Sequence, residues 1–393
     1  MPPVSHRSPF GAPARDSETA GRLVAGGREL PRFWEYEGPH GRGSFRGGGG
    51  AAEGSSGAGE ESLSGLSFVD VCSGAGGLAL GLERAGFTPR LLLDNESSAC
   101  DTLNANRPHW NVLKADLLDF DPVDHPEVYD VDLLAAGLPR VKSSASVTRQ
   151  SSDTELRLIE ATAYLVHAVQ PRALIIENVP TLVDQDSLAP VRDFLHKELE
   201  HLGYELTWFI LNASDFAVPQ DRMQGVLVAV KQQWASAFRP PRPIAHEHVS
   251  VGEALAPSMR SRGWRDADRW VAQATSVAPT LVGGSKTHGG PDFGPSGTKA
   301  KWRRMGVYTK SFGNEPPGPD FTWDPSLGDD GLVRITVDQT ALLQGFPEAW
   351  RISGLKTARY RQIGHATPPP VGESLGRAVA EALNRDPGTR TAG

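Results

Sequence analysis

Cysteine is scarce in this chain of 393 residues, which contains only Cys72 and Cys100. Two isolated cysteines cannot build a disulfide framework, and their spacing is not that of a cysteine-based zinc site. The sequence also lacks an apolar run long enough to span a bilayer and a hydrophobic segment typical of a signal peptide. These absences favour a protein of the reducing cytoplasm, without a metal centre and without membrane contact.

A net positive charge is also missing, because the formal charge is −7. This balance argues against a uniformly basic coat for nucleic acid. The charge is uneven, however, since residues 233–313 hold 12 Lys or Arg against 5 Asp or Glu. A basic segment in an acidic chain is what a localised DNA-binding face needs, although an ordinary solvated surface explains the charge equally well.

The chain divides into segments of different composition. Residues 1–62 are rich in Gly, Pro and Ser, which predicts a disordered N-terminal arm. Residues 63–232 alternate apolar strands with helices, which predicts a doubly wound, mostly parallel α/β sheet of Rossmann-like type. Residues 233–330 lose this rhythm, and we expect a small irregular lobe there. Residues 331–386 should return to the first domain and 387–393 should form a flexible tail.

Hydrophobic periodicity and turn residues give the individual elements. Predicted strands cover 67–71, 90–93, 131–136, 173–176, 205–211 and 226–230, and predicted helices cover 77–85, 98–105, 155–169, 188–202 and 372–383.

A glycine-rich turn joins the first predicted strand to its helix and contains Gly74, Gly76 and Gly77. Glycine lets the backbone turn tightly and approach a ligand, although such a turn serves many nucleotide-binding folds. Asp94 follows the second strand, where a carboxylate can accept hydrogen bonds from ribose hydroxyls. Asp116 follows the next short strand and could accept from an adenine amino group. Either acid could equally be a helix cap or turn residue.

Six motifs in a fixed order resemble those of bacterial-type DNA cytosine-5 methyltransferases, from about residue 66 to 383. They are Asp70 with Gly74-Ala75-Gly76-Gly77, Gly137-Leu138-Pro139, Glu177-Asn178-Val179, Gln220-Asp221-Arg222-Met223-Gln224, Leu343-Gln344-Gly345-Phe346-Pro347, and Tyr360-Arg361-Gln362-Ile363-Gly364-His365 with the residues that follow it.

The resemblance implies S-adenosylmethionine as cofactor and double-stranded DNA with a flipped cytosine as substrate. It also implies a DNA-reading lobe in the basic segment. The implied cofactor-binding positions are Asp70, Cys72, Gly74, Gly76, Gly77, Asp94, Asp116 and His365. The implied catalytic positions are Arg140, Glu177 and Arg222, and the candidate DNA-binding residues are Lys286, Lys301, Arg303 and Arg304.

Arg140 is the main departure from the family pattern, because it stands where the nucleophilic cysteine is found. Members of the family add a thiolate to C6 of cytosine so that C5 can attack the methyl group. Arginine stays protonated and offers only hydrogen-bond donors. Ser143 and Ser144 lie nearby, but an unactivated hydroxyl is a weak nucleophile. Neither cysteine belongs to the catalytic loop.

Two further positions depart from the pattern. Gln224 replaces the second arginine of the Gln-x-Arg-x-Arg motif, and His365 replaces an asparagine of the last motif. The sequence therefore predicts a protein that binds S-adenosylmethionine and DNA without the usual covalent route. Two alternatives remain at this point. One is an active methyltransferase with another nucleophile or acceptor, and the other is a silent DNA-binding or regulatory partner of an active enzyme.

Overall fold

The computed structural model describes residues 65–141, 149–245, 247–284 and 291–385, with side chains from residue 154 onward in the second range. The predicted arm (1–62), the predicted tail (387–393) and Lys286 lie outside the described residues. Ser143 and Ser144 lie outside them as well.

The described residues contain nine strands. They are β1 (Ser67–Val71), β2 (Thr88–Asp94), β3 (Val112–Lys114), β4 (Leu133–Gly137), β5 (Ala173–Asn178), β6 (Tyr204–Asn212), β7 (Gln220–Asp221), β8 (Met223–Lys231) and β9 (Ala278–Pro279).

Seven of these strands form one sheet in the order β3-β2-β1-β4-β5-β8-β6. Neighbours from β3 to β5 pair in parallel, whereas β8 pairs antiparallel with both β5 and β6. The predicted mostly parallel sheet is thus confirmed. The remaining strands, β7 and β9, form a separate parallel pair in which Gln220 lies opposite Ala278.

Twelve α-helices are present in the described residues. They are α1 (Gly77–Arg84), α2 (Ser97–Asn106), α3 (Arg149–Val169), α4 (Thr181–Asp184), α5 (Ala189–Glu200), α6 (Gln232–Ala235), α7 (Val251–Arg260), α8 (Ala267–Gln273), α9 (Ser296–Arg304), α10 (Val337–Leu343), α11 (Lys356–His365) and α12 (Pro369–Leu383). No helix among them is both long and apolar enough to cross a membrane.

Both faces of the central sheet are covered, which explains why its inner strands are mostly apolar. In β1, Phe68 points into one buried cluster and Val69 and Val71 point into the other. This alternation is the period of two that a pleated strand imposes. A strand buried on both sides needs apolar residues at successive positions.

Glycine allows α1 and α12 to pack closely, so the C-terminal part of the chain returns to the central sheet. A Cβ atom at Gly81 would lie 2.4 Å from the backbone nitrogen of Glu373 in α12. A Cβ atom at Gly77 would lie 2.0 Å from the carbonyl oxygen of Thr367. Residues of the last sequence motif are thereby held against the glycine-rich loop.

In the described residues between α6 and α10, three short α-helices, α7, α8 and α9, are joined by irregular stretches. Ser250 and Glu253 form a capping box at the start of α7. Trp270 and Trp302 are fully buried and belong to the same apolar cluster as Phe68 of the central sheet. The tryptophans that are scattered in the sequence therefore form the core of this lobe.

Candidate active site

The loop after β1 reverses direction through left-handed backbone at Cys72, Gly74 and Gly76. A Cβ atom at Gly74 would have no neighbour nearer than 4.0 Å, whereas one at Gly76 would lie 2.5 Å from Leu103 Cδ2. Gly74 therefore borders open space, in which a ligand can approach the backbone. Gly76 and Gly77 instead accommodate the protein's own atoms, which is a packing role that the motif alone does not distinguish.

Two carboxylates hold this loop and its neighbour. Asp94 Oδ2 accepts from the Gly74 N–H at 2.8 Å, and Oδ1 accepts from the Glu96 N–H at 2.8 Å. Asp116 accepts from the Leu118 N–H at 3.0 Å and from Asn95 Nδ2 at 3.0 Å. Asp116 is thus a cap of a 3-10 turn, as one of the two interpretations predicts. Carboxylate oxygens have further lone pairs, so these bonds leave capacity for a ligand.

Asp70 is fully buried, and neither of its carboxylate oxygens has a hydrogen-bond partner among the described residues. Burial raises the pKa of Asp70 to about 8, with the nearby Ser73 side chain opposing the shift and the charge of Asp94 adding to it. Burial also raises the pKa of the Cys72 thiol, followed by the charges of Asp94, Asp70 and Asp116. The three acids therefore surround Cys72 and make this end of the sheet acidic.

This acidic environment suits S-adenosylmethionine, which carries a sulfonium and an ammonium group. An orphaned buried carboxylate requires a compensating partner, and a cation supplies one. The residues present thus fit the cofactor: Asp94 would accept from hydroxyl groups, Asp70 would balance positive charge, and Gly74 would allow close backbone approach.

Glu177 lies at the end of β5, nearly buried, and is held by two neutral donors. Gln224 Nε2 donates to Glu177 Oε1 at 2.7 Å, and the Thr367 hydroxyl donates to Oε2 at 2.9 Å. Gln224 thus contacts Glu177 from the position where the family pattern has an arginine. Its own Oε1 is buried without a hydrogen-bond partner among the described residues.

Arg140 follows β4 and extends toward the same place. Its Nη2 donates to the carbonyl oxygen of Gly364 at 3.2 Å, and Arg222 Nη1 donates to the same oxygen at 3.0 Å. Arg222 also donates to the carbonyl of Leu281 at 3.2 Å. Burial and, to a smaller extent, the charge of Arg140 lower the pKa of Arg222 to about 9, while the charge of Glu177 opposes both effects. All three predicted catalytic positions are therefore brought together.

Asn178 fixes the loop that carries Arg140. Its Oδ1 accepts from the Val141 N–H at 3.0 Å, and its Nδ2 donates to the Pro139 carbonyl at 3.1 Å. The Glu-Asn-Val motif therefore has two physical functions: Glu177 faces the site, and Asn178 determines where residue 140 lies.

A cleft of about 290 Å³ opens beside these groups. Its lining consists of Arg140, Glu177, Asn178, Val179, Pro180, Asp221, Met223 and Thr280. The same Asp221 also borders a second cleft of about 410 Å³ on the lobe. We name them the catalytic cleft and the lobe cleft.

A chain of buried amides, which the motifs alone did not reveal, ties three of the motifs together. Gln220 Oε1 accepts from the Leu281 N–H at 2.8 Å, and Gln220 Nε2 donates to Gln344 Oε1 at 2.7 Å. Gln344 Nε2 in turn donates to the Ala366 carbonyl at 2.5 Å. Gln220 and Gln344 were the sequence features that could have pointed to these bonds, because a buried amide must find hydrogen-bond partners.

The remaining predicted residues lie farther out. His365 is exposed at the end of α11, where a Cβ atom at Gly283 would lie 2.9 Å from its Cδ2. Lys301 and Arg304 line the lobe cleft. Arg303, between them in sequence, forms an ion pair with Asp329 instead.

The cysteines offer no thiolate near Arg140. Burial, followed by the charge of Asp94, raises the pKa of Cys100 to about 11, and its Sγ donates to the Asp94 carbonyl at 3.5 Å. The same two causes raise the pKa of Cys72. Among the described residues, no group of three or more His, Cys, Asp or Glu side chains could hold a metal ion.

Comparison with known proteins agrees with this geometry. The C-5 cytosine-specific DNA methylase family matches residues 66–381. The type II methyltransferase M.NaeI of Lentzea aerocolonigenes is 39% identical over 82% of this chain and 76% of its own length. M.NgoMIV of Neisseria gonorrhoeae is 36% identical over 81% of this chain and 98% of its own length.

Solved structures show the same fold. The Dnmt2 methyltransferase of S. pombe superposes with a TM-score of 0.55, covering 81% of this chain and all of its own, at 18% identity. The family match spans most of the chain, and the sheet, the glycine-rich loop and the Glu177 site all lie within it. This chain therefore belongs to the C-5 cytosine-specific DNA methylase family, whose methyl donor is S-adenosylmethionine.

Proposed function

We propose that this chain binds S-adenosylmethionine and duplex DNA but does not form the covalent adduct at C6 of cytosine. The observation that carries the proposal is Arg140. The guanidinium group of Arg140 stands where the family's chemistry needs a thiolate. It donates to the carbonyl oxygen of Gly364, which also accepts from Arg222. Such a group cannot supply an electron pair to C6.

The intact frame around Arg140 supports retained binding. Glu177 keeps two donors, Asn178 keeps the loop in place, and Arg222 remains anchored. When bound, S-adenosylmethionine supplies an electrophilic methyl group. In our proposal Asp94 and Asp70 hold the cofactor, and no residue of this chain activates cytosine C5 for transfer.

The main alternative is an active methyltransferase with a different nucleophile. The raised pKa values of Cys72 and Cys100 oppose it, because a protonated thiol is a poor nucleophile. The alternative of a silent regulatory partner is compatible with our proposal, since such a protein would also bind DNA without methylating it.

The test combines calorimetric titration of S-adenosylmethionine with trapping on duplex DNA that carries 5-fluorocytosine. We expect a micromolar Kd, equivalent to about −8 kcal/mol, and a weaker Kd for Asp94→Ala. We expect no DNA adduct on denaturing gels. Arg140→Cys serves as the comparison because it returns a thiol to the same loop.

A stable adduct with the unmodified protein would overturn the proposal and point to an alternative nucleophile. If millimolar S-adenosylmethionine produced neither binding heat nor a thermal shift, the proposal that this chain binds the cofactor would be wrong.

A further inference from the structure

The lobe cleft lies beside the catalytic cleft and shares Asp221 with it. Its other lining residues are Gln273, Thr275, Ser276, Val277, Pro279, Lys301, Arg304 and Met305. The two cations come from α9, three positions apart, so they lie on one face of the helix. Neither side chain has a hydrogen-bond or ion-pair partner in the part of the chain that the structure describes.

Helix α9 is firmly anchored, which fixes the direction of that face. Trp302 is fully buried and meets Phe293 edge to face, with 5.7 Å between the ring centroids. Gln273 Nε2 donates to the Arg304 carbonyl at 3.0 Å, which ties the end of α9 to the end of α8. The neighbouring Arg303 is neutralised by Asp329, which also pairs with Lys310 at 2.7 Å.

Asp221 makes the cleft different from a phosphate site. Its carboxylate is exposed and accepts from Asn212 Nδ2 at 3.0 Å, and it would repel a phosphate group. The cleft therefore presents donors from Lys301 and Arg304 together with an acceptor from Asp221. Exposed Gln273, Thr275 and Ser276 add neutral polar atoms.

A G·C base pair has the complementary pattern in the major groove. Guanine offers O6 and N7 as acceptors, which Arg or Lys contacts, and cytosine offers its N4 amino group as a donor, which a carboxylate accepts. An A·T pair lacks the two adjacent guanine acceptors. We infer that the lobe cleft reads a G·C base pair, with Arg304 and Lys301 on guanine and Asp221 on cytosine.

This inference rests on the proposed function, because it requires duplex binding. It adds a role for Asp221, which lies in a motif associated with the catalytic site. Lys301 and Arg304 then have a different role from Arg303, although the three residues form one basic cluster in the sequence.

The test selects preferred duplexes from a randomised library with the full chain and then measures affinity for the selected site and for single-base variants of it. We expect Arg304→Ala to lose about 10- to 100-fold of discrimination at one G·C position. Arg304→Lys should keep most of the salt dependence yet lose discrimination, because lysine cannot form the two-pronged contact.

Asp221→Asn should relax the same position, because an amide nitrogen there would donate where the cytosine amino group needs an acceptor. Lys301→Ala is compared with Lys299→Ala, a lysine of the same helix that does not line the cleft. Only Lys301→Ala should alter the preference. Thermal unfolding of each variant shows whether it has kept its fold.

The outcomes separate the two proposals. If the selected site binds and Arg304→Ala weakens all sequences equally, the cations contact phosphate and the inference is wrong, while DNA binding stands. If the unmodified chain binds no duplex at low salt, the DNA half of the proposed function fails and the inference fails with it.

Discussion

Asp70 makes the stability of the fold depend on pH, because its carboxyl group is fully buried. A carboxyl group buried without a partner favours its neutral form, and its pKa of about 8 reflects this. In the unfolded chain the same group has a pKa near 3.8. Folding therefore takes up a proton between these two values. A cation bound beside Asp70 would reverse that preference.

The sign of the effect on stability follows directly. The folded state keeps a proton that the unfolded state has released, so the contribution of Asp70 is present below pH 4 and is lost as pH rises toward 8. Asp70→Asn removes this dependence. We expect the difference in the free energy of unfolding between Asp70→Asn and the unmodified protein to shift in favour of the variant from pH 5.5 to pH 8. Urea unfolding at both pH values measures this difference. An equal difference at the two pH values would show that Asp70 is ionised in the folded protein.

Gly77 and Gly81 determine how closely α1 and α12 can pack. They therefore also determine where the last motif meets the glycine-rich loop. Backbone atoms of α12 lie where a Cβ atom at Gly81 would be, so an alanine there cannot be relieved by a side-chain rotation. Gly297 in α9 is also helical, but nothing lies within 4 Å of its would-be Cβ atom.

Gly81 and Gly297 provide a matched pair of positions for substitution by alanine. Gly81→Ala should destabilise the protein by about 1–3 kcal/mol or prevent folding, because the helices must separate. Gly297→Ala should instead stabilise it by about 0.5–1 kcal/mol, because alanine loses less conformational entropy in a helix. Denaturant unfolding measures both. Equal changes in the two variants would mean that α1 and α12 tolerate a wider spacing.

The elements of the central sheet could be predicted because their apolar runs are continuous and their turns are marked by glycine. The antiparallel insertion of β8 between β5 and β6 could not, because strand order depends on pairings between distant residues. The location of Glu177 at the end of a strand was predictable from its motif, whereas its role in the site stays a prediction. The roles of Thr367 and Gln220 were not predictable, since each depends on a hydrogen bond across more than 100 positions of sequence.

The whole molecule combines an acidic chain with a basic lobe. The formal charge of −7 opposes DNA at long range, while 12 Lys or Arg lie between residues 233 and 313. Several of these cations are already paired with acids of the lobe, as Arg260 is with Asp268 and Arg262 with Glu315. The charge available to DNA is therefore smaller than the composition indicates.

We expect duplex affinity to fall steeply between 50 mM and 200 mM salt, because bound cations release counterions from DNA. Reversing both Lys301 and Arg304 to Glu should weaken binding at low salt, because two carboxylates then face the DNA. Most of the salt dependence should remain, since these two cations contact bases rather than phosphates. Mobility-shift titration at several salt concentrations measures both effects. A slope that falls by about two in the double variant would show that Lys301 and Arg304 neutralise phosphates instead.

The pairing of β7 with β9 fixes where the catalytic cleft and the lobe cleft lie relative to each other. Gln220 and Asp221 stand directly between the two clefts, and Gln220 is locked to Leu281 on one side and Gln344 on the other. On the proposed function and the inferred base contact, the pairing of β7 with β9 therefore helps to set the offset along DNA between the base held near Arg140 and the pair read in the lobe cleft. Lengthening the connection before β9 should therefore leave the offset unchanged, as long as the pairing of β7 with β9 is kept.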